Sequence, residues 1–404
     1  MLFSRLCRNL LLVALPCFAL LAAAQTPAPP SSYVAANNNF GFQLYATLAK
    51  ADASRNVFIS PVSIEYCLGM AANGAKGDTY TQIAQALGWG ATPIDQVNAA
   101  FQSLTKRLTI ADPKVLLTLA DSLWLNNKST FLPAFTATNK QSFGAEMRTV
   151  DFTDPATVPA VNDWVKTRTQ GMIPSLLGKG DVDATTLLVL LNALYFKGAW
   201  TVPFDPKLTT DQPFTLADGT QQTVKMMQRD DKFSYYEDAN LQMVRLPYGD
   251  GRLSMLVILP AAGKALDATA QLAFNEKNWP LSAGLLQQRQ GTLDLPRFSA
   301  HYTADLPAAL QALGITDAFT AKADFSGISA TPSFISKVKH KTALEVTEEG
   351  TKAAAVTGTV MTMMAVMRPP DPPFVMKVNR PFLLALQNED GALLFLGQIQ
   401  QPEK

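Results

Sequence analysis

Residues 348–359 have the sequence Glu348-Glu349-Gly350-Thr351-Lys352-Ala353-Ala354-Ala355-Val356-Thr357-Gly358-Thr359. Small uncharged side chains occupy every second position: Thr351, Ala353, Ala355, Thr357 and Thr359. Lys352, the only charge after Glu349 in this stretch, lies on the opposite parity. Because strand side chains alternate between the two faces of a sheet, the segment can enter a sheet with its small side chains over the core and Lys352 in solvent. The pattern indicates a loop that can become a strand, although an ordinary small-residue linker has the same composition.

Three other stretches accompany this segment: residues 56–64 (NVFISPVSI), 191–200 (LNALYFKGAW) and 378–384 (VNRPFLL). Together with 350–355 (GTKAAA), they resemble four motifs of the serpins, a family of serine protease inhibitors, in the same order along the chain. The resemblance extends over residues 33–402. It implies the α+β serpin fold, with helices, three β-sheets and an exposed reactive-centre loop at about residues 349–373.

The periodicity of the chain also favours an α+β class, because helical patterns prevail early and strand patterns late. Ser60-Pro61 supplies an N-cap and a first-turn proline for a helix that has Cys67 on its apolar face, where a buried inert thiol is expected. The run 187–196 is almost unbroken in its apolarity, which suits a strand covered on both faces. Further helices are predicted at 79–87, 97–108, 131–141 and 158–170, and further strands at 253–259, 382–386 and 393–399.

The family resemblance implies two polar clusters around the main sheet. His340 would lie on the strand that leads into the loop, and Ser60, Ser63 and Asn192 would meet it where the sheet opens. A hydroxyl, an amide and an imidazole can satisfy one another there, and a buried polar group without a partner would cost about 1–3 kcal/mol. The alternative is a satisfied core histidine with no mechanical role.

The second cluster implied by the resemblance lies at the top of the same sheet. Glu348, at the start of the loop, and Arg297 match family positions that pair near Trp200. The alternative is two independently solvated charges.

The resemblance further implies a suicide-substrate mechanism in which a protease attacks the loop and the cleaved loop inserts into the main sheet. The hinge would be Gly350, Thr351, Lys352, Ala353, Ala354, Ala355, Val356 and Thr357, with Lys352 in place of the acid common in the family. Seventeen residues counted from Glu348, the usual family spacing, place the scissile bond at Met364-Ala365. Methionine suits elastase-, chymotrypsin- or subtilisin-like pockets. Cleavage at Met363-Met364, or at Arg368-Pro369 by a trypsin-like enzyme, remains an alternative.

The chain contains few residues in patterns that are suited to catalysis. It has two histidines, His301 and His340, and neither a metal-binding motif nor a nucleophile motif. The 33 acidic residues are scattered, so no catalytic carboxylate pair can be singled out. We therefore expect no enzyme, no metal and no cofactor. A serpin-fold binding or chaperone-like protein that does not insert its loop is the alternative to an inhibitor.

The N-terminus predicts export. Two arginines precede an apolar run that ends in Ala22-Ala23-Ala24, as in a secretory signal peptide, so we expect residues 1–24 to be removed and the protein to be secreted or periplasmic. An extended leader at 25–32 and a single domain at 33–404 would follow. With the resemblance, this indicates a bacterial-type secreted serpin. The 34 basic against 33 acidic residues, without a basic run, argue against nucleic acid. We expect a monomer with a target protease as its partner and no membrane span.

Overall fold

The structure is a computed structural model that describes residues 31–109, 112–351 and 372–403. Most of the helices in these ranges lie in the first half of the chain. They are α1 (Ser31–Ala51), α2 (Pro61–Ala72), α3 (Gly77–Ala86), α4 (Ile94–Leu108), α5 (Pro133–Phe143), α6 (Thr157–Arg168), α7 (Leu266–Ala273), α8 (Asn278–Leu285) and α9 (Pro307–Ala312).

Most of the strands follow after residue 187. They are β1 (Val57–Ile59), β2 (Val115–Asn126), β3 (Glu146–Val150), β4 (Leu188–Ala199), β5 (Thr210–Thr215), β6 (Gln221–Glu237), β7 (Leu241–Tyr248), β8 (Leu253–Pro260), β9 (Gln287–Pro296), β10 (Phe298–Asp305), β11 (Lys339–Val346), β12 (Gly350–Thr351), β13 (Phe374–Lys377), β14 (Phe382–Asn388) and β15 (Leu393–Ile399).

These strands form three sheets, so the α+β fold with three sheets predicted from the sequence is confirmed. The largest sheet has nine strands in the order β1-β15-β14-β8-β7-β6-β9-β13, with β5 paired to β6. A four-stranded sheet has the order β12-β4-β2-β3, and β10 pairs with β11 in a two-stranded sheet. Within the described residues, no ladder joins β4 directly to β11; the two-residue strand β12 lies on that edge of β4.

Helix α2 begins as the sequence predicts. The Ser60 hydroxyl accepts a hydrogen bond from the Ser63 amide, and Pro61 occupies the first turn. The helix is buried along almost its whole length, and it packs against β4 and β15, which belong to different sheets. Ser60 and Ser63 therefore lie where the two large sheets approach each other.

Helix α6 covers the four-stranded sheet. Trp164 and Val161 of α6 form a separate apolar cluster with Trp124 of β2 and Leu191 of β4. The connection between α6 and β4 continues across this surface towards β11, since Lys341 of β11 donates a hydrogen bond to the Ser175 carbonyl (3.1 Å).

Of the helices in the described ranges, none has the length and apolarity needed to cross a membrane.

Two expectations from the sequence need correction. Helix α1 begins at Ser31, inside the leader predicted for 25–32 and directly after a proline, which commonly precedes or opens a helix. Strand β4 is not covered on both faces throughout, because Leu188, Val189 and Leu190 are only half-buried. A cavity of about 450 Å³ lies against this end of the strand. An apolar run shows that a strand can be buried, and whether a neighbour covers it depends on the rest of the fold.

Candidate functional site

The hinge predicted at the start of the loop is already in the sheet at its first two described positions. After β11 the chain reverses at Thr347–Gly350, where the amide of Thr347 donates to the carbonyl of Gly350 (2.8 Å). Strand β12 then runs antiparallel to β4, with Gly350 opposite Ala199 and Thr351 opposite Gly198. Both residues are buried, so the loop is not exposed from residue 349 onward as predicted. Small side chains permit this, because they fit over the core.

Gly350 is required by the shape of this reversal. Its φ of +143° lies in the region that side chains rarely adopt, and a Cβ atom would come within 2.2 Å of the carbonyl oxygen of Gly198. Any other residue would have to displace the backbone of β4. The glycine therefore allows the chain to turn back against β4 directly after β11.

Trp200, Glu348 and Arg297 come together at the top of β4, where the sequence places them. The Trp200 indole donates to the Thr347 carbonyl (3.0 Å), and the Arg297 guanidinium lies 3.9 Å from the Glu348 carboxylate. The arginine is half-exposed, and exposed pairs of this kind contribute about 0–1 kcal/mol. Glu348 also accepts a closer hydrogen bond from the Thr209 hydroxyl (2.8 Å), which was not predicted from the sequence.

The four residues predicted around the opening of the sheet form two pairs. His340 Nε2 accepts a hydrogen bond from the Ser60 amide (3.0 Å), and burial lowers the pKa of His340 to about 3, so the ring is neutral. The Ser63 hydroxyl donates to the Asn192 side-chain oxygen. A cavity of about 20 Å³, enough for one water molecule, is lined by Ser63, Asn192 and His340.

A buried carboxyl completes this polar cluster, and the sequence analysis missed it. Asp121 of β2 lies directly opposite Asn192 in the ladder and accepts a hydrogen bond from its side-chain amide (2.8 Å). Burial raises the pKa of Asp121 to about 7. An aspartate within an apolar strand run was the available signal, because an acid in such a place needs a partner.

Ionic contacts tie the connection before β4 to the start of β11. Asp181 binds Lys337 (2.7 Å) and Lys339 (2.6 Å), and these bonds hold the pKa of Asp181 at about 2. Side chains at every second position of an extended segment point to the same face. The spacing of the two lysines was therefore the feature of the sequence that indicated a shared partner. The partner could not be inferred, since Asp181 is more than 150 residues away.

The cavity of about 450 Å³ lies between the first half of β4 and residues 331–339, which lead into β11. Its lining includes Leu188 and Leu190 of β4, Phe334 and Val338 on the opposite side, and Cys67 of α2. Cys67 is half-buried, and burial raises its pKa, as expected for an inert thiol.

Of the described residues, no group of three acid, histidine or cysteine side chains is arranged to hold a metal ion.

The rest of the predicted site lies outside the described residues. This applies to the reactive bond Met364-Ala365 and to the hinge positions Lys352, Ala353, Ala354, Ala355, Val356 and Thr357. Their roles stay predictions.

Comparisons with known proteins agree with this architecture. A family model described as serpin (serine protease inhibitor) matches residues 35–402. The leukocyte elastase inhibitor of Bos taurus is 38% identical over 382 residues, which cover 91% of this chain and 99% of that protein. The leukocyte elastase inhibitor of Homo sapiens is 36% identical over 381 residues, covering 91% of this chain and 98% of that protein.

Solved structures share the fold. Native tengpin, a thermophilic serpin, superposes with a TM-score of 0.81 at 29% identity, covering 91% of this chain and 94% of tengpin. Native protease nexin-1 with heparin has a TM-score of 0.81 at 32% identity, covering 92% of this chain and all of that one. Thyroxine-binding globulin in complex with thyroxine has a TM-score of 0.81 at 28% identity, covering 92% and 99%.

The mixed fold of helices and three sheets is the architecture of the serpin structures to which the chain is similar. This chain belongs to the serpin family of serine protease inhibitors. The elastase inhibitors among its relatives indicate a serine protease as its partner.

Proposed function

We propose that this chain traps its target as a covalent acyl-enzyme. The protease cleaves the loop, remains attached to it, and is carried along as the loop becomes a new strand between β4 and β11. The observation that carries the proposal is the pairing of the hinge residues Gly350 and Thr351 with the edge of β4, where the described part of the loop begins as a strand. Distortion of the attached protease would then slow deacylation, because its oxyanion hole and triad would lose their alignment.

The length of the loop fits this movement. Residues 351–364 number fourteen, and at ~3.3 Å per residue a strand of that length extends roughly 45 Å. Strand β4 has 12 residues, so its edge can pair with most of such an insert. In the register of β12, residues 359–361 of the insert would lie opposite Leu190 to Leu188, beside the cavity.

We further propose that the target is an elastase-, chymotrypsin- or subtilisin-like protease and that the reactive bond is Met364-Ala365. An unbranched, flexible methionine fits the apolar pockets of these enzymes. The names of the mammalian relatives, leukocyte elastase inhibitors, favour an elastase-like target. A trypsin-like target would require cleavage after Arg368, which is followed by proline.

Export of a monomeric protein is the third part of the proposal. Its support is the composition of residues 1–24. The bacterial-type character rests on that segment alone, because the relatives named above are mammalian. Sequencing the N-terminus of the protein recovered from culture medium and periplasm should give Gln25 as the first residue. An intact Met1 in a cytoplasmic fraction would overturn export.

The decisive experiment is incubation with chymotrypsin-like and elastase-like proteases, followed by denaturing gel electrophoresis. We expect a complex that survives denaturation, because the acyl bond is covalent. Mass spectrometry of the small C-terminal fragment should give Ala365 as its first residue. A fragment that starts at Pro369 or Met364 would refute the reactive-bond assignment.

Two variants separate the possible targets. Met364→Arg should transfer inhibition to trypsin-like enzymes, whose pocket carboxylate pairs with arginine. Arg368→Ala is the matched control and should change little, whereas loss of trypsin-like inhibition in that variant would support cleavage after Arg368. Cleavage by every protease without a complex would indicate a binding protein that does not insert its loop.

A further inference from the structure

The hinge makes a side-chain contact with a tyrosine of the nine-stranded sheet. The hydroxyl of Tyr248, the last residue of β7, lies 2.9 Å from the hydroxyl of Thr351. Both residues are almost completely buried, with 0% and 2% of their surface exposed. Since each hydroxyl can donate and accept, this bond lets the threonine enter the core without leaving a polar atom unsatisfied.

Tyr248 is fixed independently of the hinge. Its ring stacks on Trp200 at 4.3 Å and meets Phe196 edge-on at 4.8 Å. Gly198 leaves room for the ring, because a Cβ atom there would come within 2.9 Å of it. Burial raises the pKa of Tyr248, so the hydroxyl keeps its proton at physiological pH. The hydroxyl is therefore held at a constant position and in a constant protonation state.

The contact depends on the register of β12. Thr351 faces the core beside Tyr248 because it lies opposite Gly198 in the ladder, and the Trp200 amide donates to the Glu349 carbonyl (2.9 Å) in the same arrangement. A hinge that left β4 would lose the tyrosine contact. A group that binds one of two states better than the other shifts the population toward that state.

We propose that Tyr248 is a positioning residue, whose hydroxyl holds Thr351 seated on β4 before the loop is cleaved. Insertion then starts from two paired residues, and the first step of strand addition is complete in advance. The effect of Tyr248 on trapping rests on the proposed function. The contact that holds Thr351 on β4, however, is a property of the free inhibitor. It can therefore be measured without a protease.

The test compares the full-length protein with Tyr248→Phe, Thr351→Val and the double variant. Tyr248→Phe keeps the ring and its stacking, and removes only the hydroxyl. Amide hydrogen exchange at Trp200, Gly350 and Thr351 should become roughly two- to tenfold faster in each single variant, the range expected for loss of one hydrogen bond. The double variant should match the single ones, because either substitution already removes the contact.

Tyr302→Phe is the matched control. Its hydroxyl is also partly buried but contacts Asp52 (3.4 Å), so exchange at the hinge should equal that of the wild type. Unchanged exchange in Tyr248→Phe, or strictly additive effects in the double variant, would overturn the proposal. A general rise in exchange throughout the core would assign Tyr248 a merely structural role, and would overturn it as well.

A second readout connects the seating to inhibition. With chymotrypsin, Tyr248→Phe should consume about two or more times as many inhibitor molecules per trapped protease, because slower insertion lets more acyl-enzyme hydrolyse. The same stoichiometry as the wild type, despite faster exchange, would contradict a role in positioning. If the wild type traps no serine protease, the proposed function fails, while the exchange experiment still decides whether Tyr248 seats the hinge.

Discussion

Strands β14 and β4 are both almost continuous apolar runs, yet they are paired to different extents. Strand β14 lies between β15 and β8 and is buried at each of its positions. Strand β4 pairs with β2 at eleven positions, and among the described residues its other edge pairs with Gly350 and Thr351 of β12. Within the part of the chain that the structure describes, β14 therefore has a neighbour along both edges, whereas β4 has a second neighbour at the hinge end, and the rest of that edge is where we propose that the loop inserts.

The largest effect should come from completing the second sheet. Cleavage of the loop between Val360 and Ala365 should allow insertion, and a fourteen-residue strand would add on the order of ten ladder hydrogen bonds of about 1 kcal/mol each. With an unfolding entropy of about 2.1 cal/mol/K per residue, a domain of this size would rise in Tm by roughly 13 °C. Calorimetry before and after limited proteolysis measures it. An unchanged Tm would show that cleavage adds no strand to the edge of β4.

Blocking the first inward position should abolish trapping. Thr351→Arg would bring a guanidinium against the buried Tyr248, and burying an unpaired charge costs several kcal/mol. We expect the variant to be cleaved as a substrate without forming a complex. Lys352→Arg is the control, because the alternation in the sequence predicts that this residue faces solvent once the loop is inserted. A denaturant-resistant complex with Thr351→Arg would contradict the hinge assignment.

Truncations should distinguish the two strands directly. Leu384→Ala, at a fully buried position of β14, should lower the free energy of unfolding by about 2–5 kcal/mol. Leu190→Ala, at a half-buried position of β4, should cost about 1 kcal/mol, since the cavity already leaves part of its surface without contacts. Urea denaturation measures both. Equal losses would show that the edge of β4 is packed as tightly as β14.

The last effect depends on pH and concerns Asp121, on the strand beside β4. Its pKa is raised to about 7, above its value in an unfolded chain, so its stabilising contribution is complete below about pH 4 and is lost as pH rises through 7. Asp121→Asn should therefore be the more stable protein at pH 8, by up to about 4 kcal/mol, with the advantage shrinking towards pH 4. Burial also raises the pKa of Glu65, on helix α2, to about 8, but this carboxyl is present in both proteins, so the difference isolates Asp121. A pH-independent difference would refute the assignment.

Local features of the fold could be predicted from the sequence. The Ser60-Pro61 start of α2 and the β14–β15 hairpin depend on neighbouring residues, and the structure has both. The alternation of small side chains indicated a segment that can become a strand, and Gly350 and Thr351 do form one; the hinge role of residues 350–357 came from the family resemblance and stays a prediction. In each case the deciding residues lie within a few positions of one another.

Contacts between distant residues could not be predicted from the local pattern; those of His340 and of Glu348 were expected only through the family resemblance. Tyr248 and Thr351 are separated by 103 positions, and Asp121 meets Asn192 across 71. The sequence contains both members of each pair, but their meeting depends on which strands become neighbours. For the same reason, the apolarity of residues 187–196 could not indicate that the first residues of β4 are only half-buried.

The half-buried thiol of Cys67 gives the inhibitor a natural chemical reporter. It lines the cavity beside β4, and burial keeps it protonated, so a maleimide should alkylate it slowly in the resting protein. An inserted strand would close that cavity and slow the labelling further, whereas transient separation of β4 from residues 331–339 would accelerate it. The labelling rate of one native side chain would thus follow the conformational state of the whole inhibitor over time, without any engineered probe.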